Sequence, residues 1–311
     1  MIALLFPGQG SQAAGMGCDL YDTFAIAHDT FDEASEVLGY DLTDVCRVGS
    51  PEQLSRTEIT QPALLAHSVA ALRLLRDGGL VFDAALGHSL GEYSALVATG
   101  ALAFRDALVL VKARGEAMAA AATRRPGGMV AVLGLEAGVV EELCAFHDAV
   151  WPANFNCPGQ VVVSCAERSI AAFEEAAQAA GARRVVRLAV SGAFHSPLIA
   201  PAAEALRGPL AATSWATPAP AFFSTCSADF EHDGFAALLE RQLVSPVRFE
   251  QSIRRLSAEG YNAYLEVGPG AVLTGLVKRI DGVAATATAG DTDALAAALD
   301  GGWATAWEAD R

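Results

Sequence analysis

Residues 81–98 read VFDAALGHSLGEYSALVA, a passage that divides into three parts with different backbone demands. Val81 to Leu86 is a short apolar run of strand length, Gly87-His88-Ser89-Leu90-Gly91 is a tight glycine-flanked turn, and Glu92 to Ala98 reads as helix. A bare G-x-S-x-G says little, since a chain of this length holds one by chance roughly one time in ten at average Gly and Ser usage. Its position carries the weight. A buried strand running straight through the turn into a helix lifts the serine hydroxyl clear of a sheet edge. The helix beginning at Leu90 also aims free N–H groups at the place where an oxyanion on a Ser89 ester would form. Ser89 is therefore a candidate nucleophile, and the Leu90 N–H a candidate oxyanion donor. A serine that merely caps a helix between packing glycines explains the Ser but not the elbow spacing.

Working outward, Ile2 to Phe6 is a second apolar run, stopped by Pro7-Gly8-Gln9-Gly10. It reads as a buried strand leaving the sheet at the same carboxyl edge, so the Gln9 backbone is a candidate second oxyanion donor. Taken alone, the loop reads equally well as a plain strand-to-helix turn. Gln61 to Arg76 and Phe104 to Ala122 carry helical periodicity. From Met129 the units shorten: strand Met129 to Leu133, helix Glu136 to Phe146, strands Val150 to Phe155 and Gln160 to Cys165, helix Arg168 to Ala180, strand Arg183 to Ala189. That order is βαββαβ, the ferredoxin-like arrangement. The expected fold is α/β: a core of residues 1–125 and 191–311 around a central, mainly parallel sheet, with a ferredoxin-like subdomain inserted at 126–190. Tyr264 to Val267 reads as a further strand before Gly268-Pro269-Gly270, and the Ala-rich stretch after Gly282 as a helix with a loose tail.

With 311 residues, about half of them apolar, the chain can bury a large core. Its apolar runs are too short to cross a bilayer and its start lacks the basic residues of a signal peptide, so a cytoplasmic location is expected, with no membrane partner. The six cysteines form no CxxC pair, which points to reduced structural thiols and no metal site. A net charge of −15 argues against nucleic acid. Local basic clusters occur at Arg183, Arg184 and Arg187 and at Arg254, Arg255, Lys278 and Arg279, where solvated faces are the ordinary reading.

A nucleophilic serine needs a base within hydrogen-bond reach. His88 should leave the turn in another direction, and His28, His67, His147 and His232 fall in stretches where a packed or solvated histidine is ordinary. His195 sits in the loop Ser191-Gly192-Ala193-Phe194-His195-Ser196, where the chain re-enters the core, and such junctions line clefts. No Asp or Glu between Ser89 and His195 stands at an obvious strand end. A Ser–His dyad is expected, its imidazole oriented by a group other than a carboxylate, for which a backbone carbonyl would serve. Arg114 shares the apolar stripe of its helix with Leu110, Val111 and Met118, with no acid beside it. Its charge needs a partner from elsewhere, the ordinary reading being an ion pair with a distant Asp or Glu.

The motifs Gly8-Gln9-Gly10-Ser11-Gln12, Gly87-His88-Ser89-Leu90-Gly91-Glu92 and Gly192-Ala193-Phe194-His195-Ser196 resemble those of the malonyl-CoA:acyl carrier protein transacylases of fatty acid and polyketide synthesis. The likeness continues through Ala153-Asn154-Phe155-Asn156-Cys157-Pro158-Gly159-Gln160 and Glu266-Val267-Gly268-Pro269-Gly270, with Cys165 in place of a usual Gly and Ser245 in place of a usual Asn. The resemblance implies a hydrolase-like core and transfer of malonyl from malonyl-CoA to the phosphopantetheine thiol of an acyl carrier protein. Residue by residue, it implies Ser89 as acylated nucleophile, His195 as base, Gln9 and Leu90 as backbone oxyanion donors, and Gln242 as the carbonyl that orients the imidazole. It further implies Arg114 as the anchor for the malonyl carboxylate, and Leu90 and Phe194 as the residues that narrow the space around the acyl group. No cofactor is implied beyond malonyl-CoA as substrate and the carrier's own phosphopantetheine, and a monomer is expected. The competing expectations are a hydrolase of the same fold that clears carrier proteins, a docking module without chemistry, and a transferase for a different acyl cargo. An intact Gln9, Ser89 and His195 set speaks against the second, and Arg114 favours a carboxylated donor.

Overall fold

The computed structural model describes residues 1–305. Ten strands are found among them: β1 (Ile2–Phe6), β2 (Ala84–Gly87), β3 (Gly127–Leu133), β4 (Val150–Cys157), β5 (Gln160–Ala166), β6 (Arg184–Arg187), β7 (Ala221–Ser224), β8 (Asp229–Glu231), β9 (Ala263–Glu266) and β10 (Ala285–Thr288). Six of them form one sheet in the order β10-β9-β1-β2-β7-β8, parallel throughout except for β8 at one edge. β1 alternates strictly between two cores. Leu4 and Phe6 face one layer of helices, which includes Thr57–Asp77, Phe104–Arg124 and Ala200–Ala212, while Ala3 and Leu5 face Phe249–Ala258 and Val272–Ile280. A strand buried on both faces reads as a continuous apolar run, which is why Ile2 to Phe6 is legible as such.

The other four strands form an antiparallel sheet in the order β4-β5-β3-β6, with helices Ala137–Phe146 and Ile170–Ala179 between them. This is the ferredoxin-like unit, with its own core around Val130, Val163 and Phe173. Gly127 and Gly128 begin β3 ahead of the expected Met129, and the Cβ of a residue at 127 would meet the Cys165 carbonyl at 2.5 Å. The small sheet is tied to the large unit where Phe155 N–H donates to Val247 O and Val247 N–H to Ala153 O, both at 2.8 Å.

Two stretches depart from the sequence reading. The strand expected from Val81 starts only at Ala84, because Val81 lies in solvent and Asp83 turns its carboxylate onto the Ile2 N–H at 2.7 Å. The segment after Gly282 is not helix throughout: Ala285–Thr288 adds a parallel edge strand to β9 before the helix Thr292–Leu299. Alanine and threonine alternate there with each side chain half-buried, so the pattern has no apolar face to betray a strand. The tail from residue 306 onward lies outside the described residues. No helix among them is long and apolar enough to cross a membrane.

Candidate active site

β1 and β2 pair in parallel with Phe6 opposite Gly87, so the chain leaves both strands at the same carboxyl edge. Gln9 and Ser89 follow two to three residues beyond that pair. The turn at Ser89 is tight enough to exclude side chains on either side of it: a Cβ at Gly87 would lie 1.9 Å from the Gly91 carbonyl carbon, and one at Gly91 2.0 Å from the Phe6 carbonyl oxygen. Ser89 itself is held at φ 54°, a left-handed conformation unfavourable for a residue with a Cβ. Leu90 then caps the helix Gly91–Ala98, and the first helical N–H groups turn back onto the carbonyls of the elbow, Gly91 onto His88, Glu92 onto Ser89 and Tyr93 onto Leu90.

His195 comes from the loop after β6 and is also at positive φ, 56°. Its neighbours hold that bend: the Ser196 hydroxyl donates to Ala193 O at 2.6 Å, and the Ser164 hydroxyl of β5 donates to Phe194 O. His195 Nε2 lies 2.8 Å from Ser89 Oγ. Its Nδ1 lies 3.0 Å from two backbone carbonyls, Gln242 and Ser245. Two acceptors at Nδ1 fix the proton there and leave the Nε2 lone pair for the serine hydroxyl. Burial, reinforced by the Arg114 charge, lowers the imidazole pKa to about 3, so the ring is neutral at ordinary pH. The Ser245 carbonyl is a partner that sequence reasoning passed over.

Arg114 is 1% exposed, yet forms no ion pair among the described residues. It donates to Gln61 Oε1 at 2.8 Å, to Gln242 Oε1 at 3.2 Å and to Ser89 Oγ at 3.1 Å. Its helix approaches Thr57–Asp77 closely at Gly115, where a Cβ would meet Glu58 Cα at 2.8 Å, and this brings Gln61 alongside the guanidinium. Burial lowers its pKa, but a guanidinium stays charged. A full positive charge thus sits against the nucleophile with only neutral acceptors around it.

The remaining candidates meet at one cavity. Gln9, Leu90 and Phe194 line it with Ser89, His195 and Arg114, and its volume is about 80 Å³. Leu90 and Phe194 are almost wholly buried, and both line the cavity beside Ser89. A second cavity of about 190 Å³ shares Gln9, His88, Asn154 and Leu188 with the first and runs between Val162 of β5 and Leu276. His88 turns away from Ser89, as expected, and its Nε2 lies 3.0 Å from Asn156 Oδ1. Sequence reasoning missed Gln61, Glu92 and Asn154 as site residues. For Gln61 the available signal is a polar side chain one turn ahead of Leu64 and Leu65 on an apolar face; for Glu92 it is a charge at the head of an otherwise apolar helix.

The arrangement can take a proton from Ser89, hold an ester there, and receive an acyl group that carries an anion. Comparison with known proteins gives the same direction. The acyl transferase domain family matches residues 3–293. The malonyl CoA-acyl carrier protein transacylase of Bacillus subtilis is 43% identical over 96% of each chain. That of Escherichia coli is 41% identical over 96% of this chain and 98% of the relative. Among solved structures, the corresponding enzyme of Streptococcus pneumoniae superposes with a TM-score of 0.92 at 43% identity, covering 97% of this chain and all of that one. A malonyl-transacylase in complex with its type II polyketide acyl-carrier protein gives a TM-score of 0.94 at 40% identity, covering 96% and 99%.

Proposed function

The chain belongs to the acyl transferase family, among the malonyl CoA-acyl carrier protein transacylases, and from that premise we infer how its residues divide the work. It moves a malonyl group from malonyl-CoA to the phosphopantetheine thiol of an acyl carrier protein, in fatty acid or polyketide synthesis, and works in the cytoplasm.

In the first half-reaction His195 Nε2 takes the Ser89 hydroxyl proton as Oγ attacks the thioester carbonyl. The N–H groups of Gln9 and Leu90 receive the oxyanion. The tetrahedral species collapses with loss of the coenzyme A thiolate, which takes the proton from His195. In the second half, the carrier thiol gives its proton to His195 and attacks the Ser89 ester, and Ser89 Oγ leaves with that proton. The backbone carbonyls of Gln242 and Ser245 keep the imidazole in one tautomer through both halves. Leu90 and Phe194 narrow the space beside the acyl group. Residues 126–190 form the inserted subdomain that roofs the cavity over a core of 1–125 and 191–311.

The observation that carries the choice of substrate is Arg114: a buried guanidinium, 3.1 Å from Ser89 Oγ, with no carboxylate among the described residues on it. A malonyl group esterified to Ser89 supplies that carboxylate, in the bidentate geometry arginine favours. Intact-mass spectrometry after brief exposure to malonyl-CoA, then to holo carrier protein, tests the scheme. A malonyl adduct should appear and then discharge, and Ser89→Ala should form none. His195→Ala should slow both steps. A stable adduct on the Ser89→Ala protein would move the nucleophile elsewhere.

A further inference from the structure

Glu92 is fully buried, belongs to no ion pair among the described residues, and lies outside the catalytic scheme described above. Its Oε1 accepts from the Ser224 hydroxyl at 2.9 Å and from the backbone N–H groups of Thr225 and Cys226 at 2.6 and 3.2 Å. Its Oε2 accepts from Gln242 Nε2 at 2.8 Å. The other proton of that Nε2 goes to the Ser89 backbone carbonyl at 2.9 Å, which leaves Gln242 Oε1 to receive Arg114. One residue therefore touches all three parts of the site: its own carbonyl orients His195, its amide nitrogen braces the Ser89 turn, and its amide oxygen holds Arg114.

We propose that Glu92 is a positioning residue for substrate selection, fixing the orientation of the Gln242 amide so that its oxygen, and only its oxygen, faces Arg114. The alternative amide orientation would set Oε1 against two acceptors, Glu92 Oε2 and Ser89 O, and the NH2 against a guanidinium. A carboxylate at 92 forbids it. Gln242 being an amide matters equally: a carboxylate there would neutralise Arg114, whereas an amide locates the guanidinium and leaves its charge for the acyl group. This inference rests on Arg114 being the malonyl anchor.

The shape-preserving change Glu92→Gln isolates the effect. Several donors converge on Oε1, so the oxygen of the new amide must stay there, and its NH2 then faces the Gln242 NH2. The conflict is relieved only if Gln242 turns over, which removes the acceptor from Arg114. The malonyl-to-acetyl loading ratio, read by intact mass, should fall at least about tenfold. A charge effect alone predicts the reverse, since losing a buried negative charge frees Arg114 for an anion and raises the ratio. An unchanged or raised ratio in a protein that remains folded by circular dichroism overturns the proposal. Should Glu92→Gln not fold, Gln242→Met breaks the same relay at its middle while keeping the backbone carbonyl on His195, and the same fall is expected, its absence being equally fatal. Arg114→Ala in the same assay separates the two readings: if it leaves malonyl preference intact, the anchor assignment fails; if it abolishes the preference while folded Glu92→Gln retains it, only the relay fails.

Discussion

Arg114 is held by two amides and a hydroxyl, none of which neutralises it, and two expectations follow at the scale of single residues. A charge-assisted hydrogen bond contributes about 1.5 to 3 kcal/mol, so Arg114→Ala should cut malonyl loading by roughly ten- to a hundredfold or more. Acetyl loading should hold or rise, because acetyl has no second carboxylate to lose. Equal loss of both substrates in a folded variant would make Arg114 structural. The second expectation concerns pH. His195 acts as a base only when neutral, and with its pKa lowered to about 3 it is neutral throughout the usual working range. The rate of malonyl loading should therefore stay level from about pH 7.5 to about pH 5, its acid limb lying below that, and an inflection near 6.5 would show that the ring is hydrated. Ser89, His195 and Arg114 were legible in the sequence because each breaks a local pattern: a serine in an elbow, a histidine at a junction, a charge on an apolar stripe. Gln61 and Glu92 were not, since their meaning lies in partners on other elements, Arg114 and Gln242, which no spacing reveals.

Among the elements, the β2 elbow is the most exacting. Its glycines stand where Cβ atoms would enter neighbouring backbone, so the strand, turn and helix can be stacked on β1 in only one way. Gly91→Ala should destabilise the protein by more than about 3 kcal/mol in urea unfolding and remove loading with it. A change within 0.5 kcal/mol would mean that the turn relaxes easily. Elements of this kind announce themselves: β1, β2 and the β3 to β6 unit carry period and punctuation that survive without the structure. β10 did not, because Ala285–Thr288 is half-buried on both faces and owes its conformation to pairing with β9.

For the molecule as a whole, the net charge of −15 leaves the exposed cations as the places where negative groups of the carrier could dock, and they divide into two kinds. Arg187, Arg254 and Arg255 are already engaged by Glu174, Glu250 and Glu259. Arg183 and Arg184 have no such partner among the described residues, and Arg279 lies on the Pro158 carbonyl beside Lys278. Raising salt should slow transfer to the carrier by on the order of threefold or more while loading from coenzyme A changes less. Reversing Arg183 and Arg184 together should mimic the salt effect, whereas Arg254→Glu, at an arginine already paired with Glu250, should do so weakly. Equal salt sensitivity of both half-reactions would count against this surface.

The two sheets also differ in when they can exist. Every pairing of the small sheet joins residues between 127 and 187, whereas β1 waits for β9, pairing Ile2 with Ala263. As the chain emerges from the ribosome, the inserted unit can close before β9 is made, while β1 stays without one of its neighbours until then. The Gln242 carbonyl that sets the imidazole lies in that late half, after β8. A nascent chain stalled before Gln242 can hold a finished small sheet and both Ser89 and His195, yet have no clamp to align them. Competence to acylate should arise abruptly, once Gln242 and β9 have emerged, and not in proportion to length.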